Sequence, residues 1–208
     1  MYATIVLVRI TNKVFKMAIS SSLTEPYITE QEYIEDEKIS KVRHEYIDGE
    51  VYAMAGSSKR HNTIALNLAL AFKLASRDTP CEVFSSDLKV RIDSLRSYYY
   101  PDVLVSCDEE DDSDDYYVEK PCLIVEVLSK STEQKDYREK LLSYQSISSL
   151  QNYLVVAQDH CHIDLFYRTK QGWWIQTFES LEDTVELSCP EFELSVADIY
   201  EGIEFQES

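Results

Sequence analysis

The chain has 208 residues, which suits one domain and is too short for two with well-developed cores. Its 20 basic and 38 acidic residues give a net charge of -18, and 44% of the residues are hydrophobic, which indicates a packed core and argues against disorder. Because the sequence has no apolar run of the roughly 18 residues that a membrane span needs, we expect a soluble protein.

The first third of the chain predicts two helices and a hairpin. Thr29 and Glu32 fit a capping box at the start of a helix. Asp48-Gly49 is a typical turn of a β-hairpin and separates two strand-like segments. Apolar residues recur at helical spacing over residues 58–76. The predicted elements are a short helix from Thr29 to about Lys38, a hairpin of 44–47 and 50–55, and a long helix over 58–76.

Strands dominate the remainder, and the run Leu123 to Leu128 is apolar enough for a central strand covered on both faces. The order predicts a single α/β (α+β) domain, a mixed sheet flanked by helices, without an internal repeat or linker. The predicted strands are 81–85, 88–92, 102–106, 122–128, 152–157, 162–167 and 173–178, with a helix at about 133–145.

The negative charge is concentrated in two segments. Asp108 to Asp115 holds seven acids, and the chain after Lys170 holds ten acids and no base, so the rest of the domain is nearly neutral. An acidic protein does not attract nucleic acid at long range. A nearly neutral face can still bind a polyanion, especially where it holds a divalent metal.

The five cysteines are odd in number and include no C-x-x-C pair. This pattern argues against a disulfide framework and against a structural zinc knuckle. We therefore predict a cytoplasmic protein whose thiols are reduced.

Two carboxylates stand out by position. Asp102 follows Pro101 at the start of a predicted strand, and Glu126 interrupts an apolar one. A buried charge needs a cation, a proton or an opening to a cleft, and a shared divalent metal would meet that need. The alternatives are that Glu126 faces solvent or pairs with a lysine, and that Asp102 only begins a turn. Lys140 stands four residues after Asp136, a spacing typical of a surface ion pair.

The ordered motifs resemble the Uma-two family of putative restriction endonucleases, a branch of the PD-(D/E)XK nuclease superfamily. The resemblance covers about Leu23 to Phe205. Its markers are Ile28-Thr29-Glu30-Gln31-Glu32-Tyr33, Arg43-His44-Glu45-Tyr46-Ile47-Asp48-Gly49-Glu50, His61-Asn62, Ser86-Asp87-Leu88-Lys89-Val90-Arg91, Tyr100-Pro101-Asp102-Val103, the segment from Pro121 to Ser129, and Ser131-Thr132 followed by Asp136, Lys140 and Tyr144.

This resemblance implies a metal-dependent endonuclease that hydrolyses DNA phosphodiester bonds. It places Mg²⁺, with Mn²⁺ as a substitute, at Asp102 and Glu126, and it makes Lys140 the positive catalytic partner. Supporting roles are implied for Glu45, His61, Asp87 and Lys89.

One departure concerns the lysine. The superfamily normally carries it two residues after the acid, where this chain has Leu128. The family pattern places a lysine on the following helix, here Lys140, while Lys130 and Lys89 are other possible substitutes. A catalytically inactive DNA-binding or protein-binding module with the same fold is the alternative function, and an interaction protein with an acidic C-terminal segment is a third.

The resemblance also bears on the start of the chain and on assembly. We expect residues 1–22 to be an extension and 23–208 the domain, with residues 1–16 either preceding a native start at Met17 or adding a strand. A homodimer would place two sites about a two-fold axis. Adjacent aromatics at Tyr98-Tyr99-Tyr100 and Trp173-Trp174 fit an exposed interface or, equally, burial within the monomer.

Overall fold

The structure is a computed structural model that describes residues 27–108, 115–129 and 136–205, with two backbone segments at 9–10 and 13–14. The helices are α1 (Glu30–Ile39), α2 (Lys59–Ala75), α3 (Leu141–Gln145) and α4 (Val196–Ile199). A π-helical turn, Asp136–Lys140, leads directly into α3. The strands are β1 (Arg9–Ile10), β2 (Lys13–Val14), β3 (His44–Ile47), β4 (Glu50–Ala53), β5 (Glu82–Ser85), β6 (Lys89–Ile92), β7 (Ser97–Tyr99), β8 (Val103–Ser106), β9 (Tyr117–Val118), β10 (Leu123–Leu128), β11 (Asn152–Ala157), β12 (Ile163–Thr169), β13 (Gly172–Phe178), β14 (Thr184–Ser188) and β15 (Glu191–Ser195).

A six-stranded mixed sheet forms the centre, in the order β13-β12-β11-β10-β8-β5. β10 runs parallel to β11 and antiparallel to β8, and all six of its residues are buried. The chain crosses from β10 to β11 through α3, as a parallel pair requires. This arrangement confirms the predicted mixed sheet flanked by helices.

One face of this sheet is covered by α2 and by the C-terminal segment. Ile64, Leu68 and Phe72 of α2 are fully buried in a core that also includes Val125 and Val127 of β10. β14 and β15 form a hairpin in which buried and exposed residues alternate along β14, and its apolar side chains join the same core. The acidic C-terminal segment is therefore part of the folded domain.

The other face packs against α3 and a second sheet in the order β4-β3-β7-β6-β9. The rings of Tyr99 and Tyr144 lie 5.6 Å apart and those of Tyr144 and Tyr153 lie 5.2 Å apart, which links β7, α3 and β11. Tyr98, Tyr99 and Tyr100 are all buried within the monomer. Their clustering therefore gives no support to an exposed dimer interface.

The local signals in the first third are confirmed. Both hydrogen bonds of the capping box are present, since Glu32 N donates to Thr29 Oγ1 and Thr29 N donates to Glu32 Oε2. Asp48 and Gly49 both have positive φ, which matches the turn that joins β3 to β4. The predicted boundary at Met17 lies outside the described residues, and β1 pairs with β2 as a separate two-stranded sheet.

The prediction of reduced thiols is wrong for four of the five cysteines. The structure contains disulfides Cys81–Cys107 and Cys122–Cys189, while Cys161 is free. Sequence spacing missed these pairs because the partners are far apart in the chain and meet only when the strands assemble.

Among the described helices, none is both long enough and apolar enough to span a membrane.

Candidate active site

The two carboxylates singled out in the sequence lie side by side where β8 and β10 meet. Val103 pairs with Val125, so continuing this register places Asp102 next to Glu126. The Val127 N–H donates a 2.7 Å hydrogen bond to Asp102 Oδ2, and the Asp102 N–H donates to Val125 O at 3.1 Å. Asp102 is therefore fixed to β10 through its backbone and its carboxylate.

Glu126 lies on the face of β10 that packs against α3. Alternation along the strand puts it on the same side as Ile124 and Leu128, and it is 4% exposed. Its Oε1 accepts hydrogen bonds from Lys140 Nζ at 2.9 Å and from Tyr144 Oη at 2.8 Å. Exposure of Glu126 to solvent is thus ruled out, and it pairs with a lysine.

That lysine is central to the site. Lys140 is 5% exposed at the end of the π-helical turn, and its Nζ also lies 2.9 Å from Glu45 Oε1 on β3. The interpretation of Lys140 as a solvated surface residue is therefore wrong. Lys140 joins the second sheet to the central one through two buried carboxylates, Glu45 and Glu126.

His61 of α2 contacts Asp102. The Ser58 side chain caps α2 by accepting a hydrogen bond from His61 N at 3.1 Å, which fixes the first turn. The His61 Nε2 then lies 3.2 Å from Asp102 Oδ2. The strand register of Asp102 with Glu126 thus brings the His61–Asp102 pair next to the Glu45–Lys140–Glu126 group.

The other two supporting candidates have different surroundings. Asp87 is exposed and pairs with Arg43 at 3.2 Å. Lys89 is 5% exposed, and its Nζ lies 3.5 Å from Tyr100 Oη, which donates in turn to Glu37 Oε1 at 3.0 Å. Lys89 thus belongs to a neighbouring polar cluster, reached through Tyr100, two residues before Asp102. Lys130 lies outside the described residues.

Tyr144 is a site residue that the sequence reasoning missed, although it was part of the resemblance. Burial raises the pKa of Tyr144 well above its ordinary value, so its hydroxyl stays protonated and donates to Glu126. The available signal was its spacing of four residues after Lys140, which places both side chains on the same helix face.

The donors of this site fit a hard divalent cation. Glu45 and Glu126 are two buried carboxylates that share one lysine, and Asp102 adds a partly buried third carboxylate next to Glu126 in the strand register, so the site has more acidic groups than Lys140 alone neutralises. Within the described part of the chain, both side-chain contacts of Asp102 fall on Oδ2, which leaves Oδ1 as a ligand atom. Carboxylate oxygens are the ligands that Mg²⁺ and Mn²⁺ prefer.

The fold matches a nuclease-like structure. A crystal structure described as a putative nuclease belonging to DUF820 from Anabaena variabilis superimposes with a TM-score of 0.67 over 84% of this chain and 98% of that chain. The two sequences are 17% identical, so the likeness is one of fold.

Sequence comparison defines the family. The Uma2 family model, described as a putative restriction endonuclease, matches residues 31–197, and the chain belongs to this family. An uncharacterized protein of Synechocystis sp. is 36% identical over 189 residues, which cover 91% of this chain and 100% of that protein. A second uncharacterized protein of the same organism is 33% identical over 74% of this chain and 88% of its own length.

Proposed function

We propose that the protein is a metal-dependent endonuclease that hydrolyses DNA phosphodiester bonds, with Mg²⁺ as the cofactor and Mn²⁺ as a substitute. Asp102 and Glu126 are the metal ligands, and Lys140 is the positive catalytic residue. The observation that carries this proposal is the buried Glu45–Lys140–Glu126 arrangement beside Asp102, with Lys140 Nζ 2.9 Å from each glutamate. Membership of a family described as putative restriction endonucleases supports the choice of substrate.

Each side chain has a role that follows from its contacts. Asp102 and Glu126 would hold the divalent ion, which would supply polarisation of the scissile phosphate and a more acidic attacking water. Lys140 offsets the negative charge that develops on the phosphorane. Tyr144 holds the Glu126 carboxylate, and His61 orients Asp102 through Oδ2. Glu45 holds the Lys140 ammonium on its other side.

The first turn of α2 is the segment that we assign to contact with the DNA backbone. It carries Lys59, Arg60 and His61 and no acid, and His61 reaches Asp102. Basic side chains at a helix N-terminus favour phosphate binding. A local contact of this kind supplies attraction that the net charge of -18 opposes at long range.

Leu128 favours a rival function, a catalytically inactive DNA-binding or protein-binding module. It stands where the superfamily's lysine is expected, and it is 7% exposed within an apolar cluster. The proposed activity therefore requires that Lys140 supplies the positive charge of the lysine that is missing at Leu128.

Supercoiled plasmid incubated with purified protein and Mg²⁺ or Mn²⁺ tests the function. Wild type should nick or linearise the plasmid, EDTA should abolish the reaction, and Asp102→Asn and Glu126→Gln should lose it. Glu82→Gln is the matched control, because Glu82 is exposed on β5 of the same sheet and should leave cleavage unchanged. No cleavage by wild type in either metal, with plasmid binding retained, would support the inactive module.

We also infer a homodimer, which would allow two sites to cut both strands of a duplex. The supporting feature is β13, an edge strand on which Trp174 is 57% exposed and Ile175 is 52% exposed. Light scattering at micromolar concentration measures the mass, and a value near 24 kDa would exclude the dimer. The expected reaction would then be nicking of one strand at a time.

A further inference from the structure

Four cysteines from distant parts of the sequence meet at one end of the central sheet. Cys81 precedes β5, Cys107 follows β8, Cys122 precedes β10 and Cys189 lies in the turn between β14 and β15. Because β8 runs antiparallel to both β5 and β10, these strand termini lie at the same end of the sheet. Cys107 is five residues beyond Asp102, so this end of the sheet is about 16 Å from the carboxylate site along β8.

The two disulfides are in direct contact with each other. Cys107 Sγ lies 3.3 Å from Cys189 Sγ and 3.5 Å from Cys122 Sγ, although its own partner is Cys81. The sulfurs of Cys107, Cys122 and Cys189 all lie within 4.8 Å of one another. In a tetrahedral zinc-thiolate centre the Zn–S distance of about 2.3 Å gives sulfur separations of about 3.8 Å. The separations between the two disulfides are close to that value.

The backbone holds these positions independently of the sulfur bonds. Cys122 N donates to Val105 O at 2.8 Å, and Glu82, which follows Cys81, pairs with Ser106 in the β5–β8 ladder. Cys122 is 7% exposed, and the other three side chains are partly buried against the main core. Reduction would therefore leave the thiols of Cys107, Cys122 and Cys189 gathered at one place, with the thiol of Cys81 beside that of Cys107.

We propose that these cysteines form a zinc site in the reduced protein and that the two disulfides are its oxidised state. Two equivalents of a phosphine reductant and two waters convert the disulfides into four thiols and two phosphine oxides. Binding of Zn²⁺ by the four thiols, each of which becomes a thiolate, then releases four protons, with no further change in oxidation state. Thiolate sulfur selects zinc over the hard cations that suit Asp102 and Glu126, so the two sites differ in metal.

Zinc titration of the reduced full-length chain tests the proposal. The protein is reduced with a phosphine and desalted without oxygen, and Zn²⁺ is added in competition with a chromophoric chelator. We expect about one zinc per chain that is retained against the chelator, no zinc so retained by the oxidised protein, and the absorption bands of a tetrahedral cobalt thiolate when Co²⁺ replaces Zn²⁺. Failure of the reduced wild type to bind zinc would overturn the proposal.

Two variants and one protection assay separate the zinc site from other effects. Cys107→Ser should lose the zinc, whereas Cys161→Ser, which changes the free cysteine, should keep it. Should Cys107→Ser fail to fold, alkylation of wild type decides the question. Zinc should protect four cysteines and leave Cys161 reactive, and equal labelling of all five with and without zinc contradicts the site. Glu126→Gln should bind zinc normally, so this result is independent of DNA cleavage.

Discussion

Replacing Lys140 with methionine should destabilise the protein much more than loss of an ordinary ion pair. Lys140 Nζ lies 2.9 Å from Glu45 Oε1 and from Glu126 Oε1, and all three residues are at most 5% exposed. At an effective dielectric constant of about 20, each contact is worth about 6 kcal/mol of Coulomb energy. Desolvation of the lysine offsets much of that gain. Removing the lysine from two buried carboxylates should cost about 3–5 kcal/mol of unfolding free energy.

Urea unfolding followed by far-ultraviolet circular dichroism at neutral pH, without divalent metal, measures this loss. The matched control is Lys120→Met. Lys120 Nζ lies 3.1 Å from Asp108 Oδ2, but its side chain is 41% exposed, so its loss should cost less than about 1 kcal/mol. A double variant, Lys140→Met with Glu45→Gln, should recover part of the stability because it removes one uncompensated buried charge. A loss of less than about 1 kcal/mol in Lys140→Met would refute the reasoning.

Three further outcomes follow from the packing. Burial raises the pKa of Tyr99 to about 12 and that of Tyr144 well above its ordinary value, while unfolded tyrosine ionises near pH 10. The stability that these two rings contribute is present below pH 10 and falls above it by about 1.4 kcal/mol per pH unit for each ring, as urea unfolding at pH 9 to 11 should show. Arg168 donates to the carbonyls of Ile147 at 2.7 Å and Leu150 at 2.8 Å, so Arg168→Ala should lose about 2–3 kcal/mol and, by loosening the segment after α3, slow plasmid cleavage. Ile199→Ala should cost about 2–5 kcal/mol in thermal or urea unfolding, because Ile199 of the acidic C-terminal segment is 1% exposed, whereas a segment outside the core would show no loss.

Local signals in the sequence predicted much of the fold. The capping box at Thr29, the turn at Asp48-Gly49 and the apolar periodicity of α2 each depend on neighbouring residues, and each is confirmed. The C-terminal hairpin of β14 and β15 was missed. No strand was predicted after 173–178, although the alternation of Val185 and Leu187 with exposed residues is typical of a strand with one buried face.

Contacts between distant segments set the limit of prediction for the site. An acid within an apolar strand pointed to Glu126, and the resemblance added Lys140, which the structure places 2.9 Å away. The surface interpretation of Lys140 rested on its spacing from Asp136, and such spacing cannot show which helix face a sheet will cover. The prediction of reduced thiols failed for the same reason, since strand pairing alone brings Cys107 close to Cys122 and Cys189.

The rate of plasmid nicking as a function of Mn²⁺ concentration, for wild type and Glu126→Gln in parallel, tests the central proposal most directly. Glu126→Gln keeps the size of the side chain and removes its charge, so a folded variant separates metal binding from packing. We predict that the wild-type rate rises with Mn²⁺ and saturates, while the variant stays at the background rate throughout. Equal rates for the two folded proteins at every Mn²⁺ concentration would contradict the assignment of Glu126 as a metal ligand.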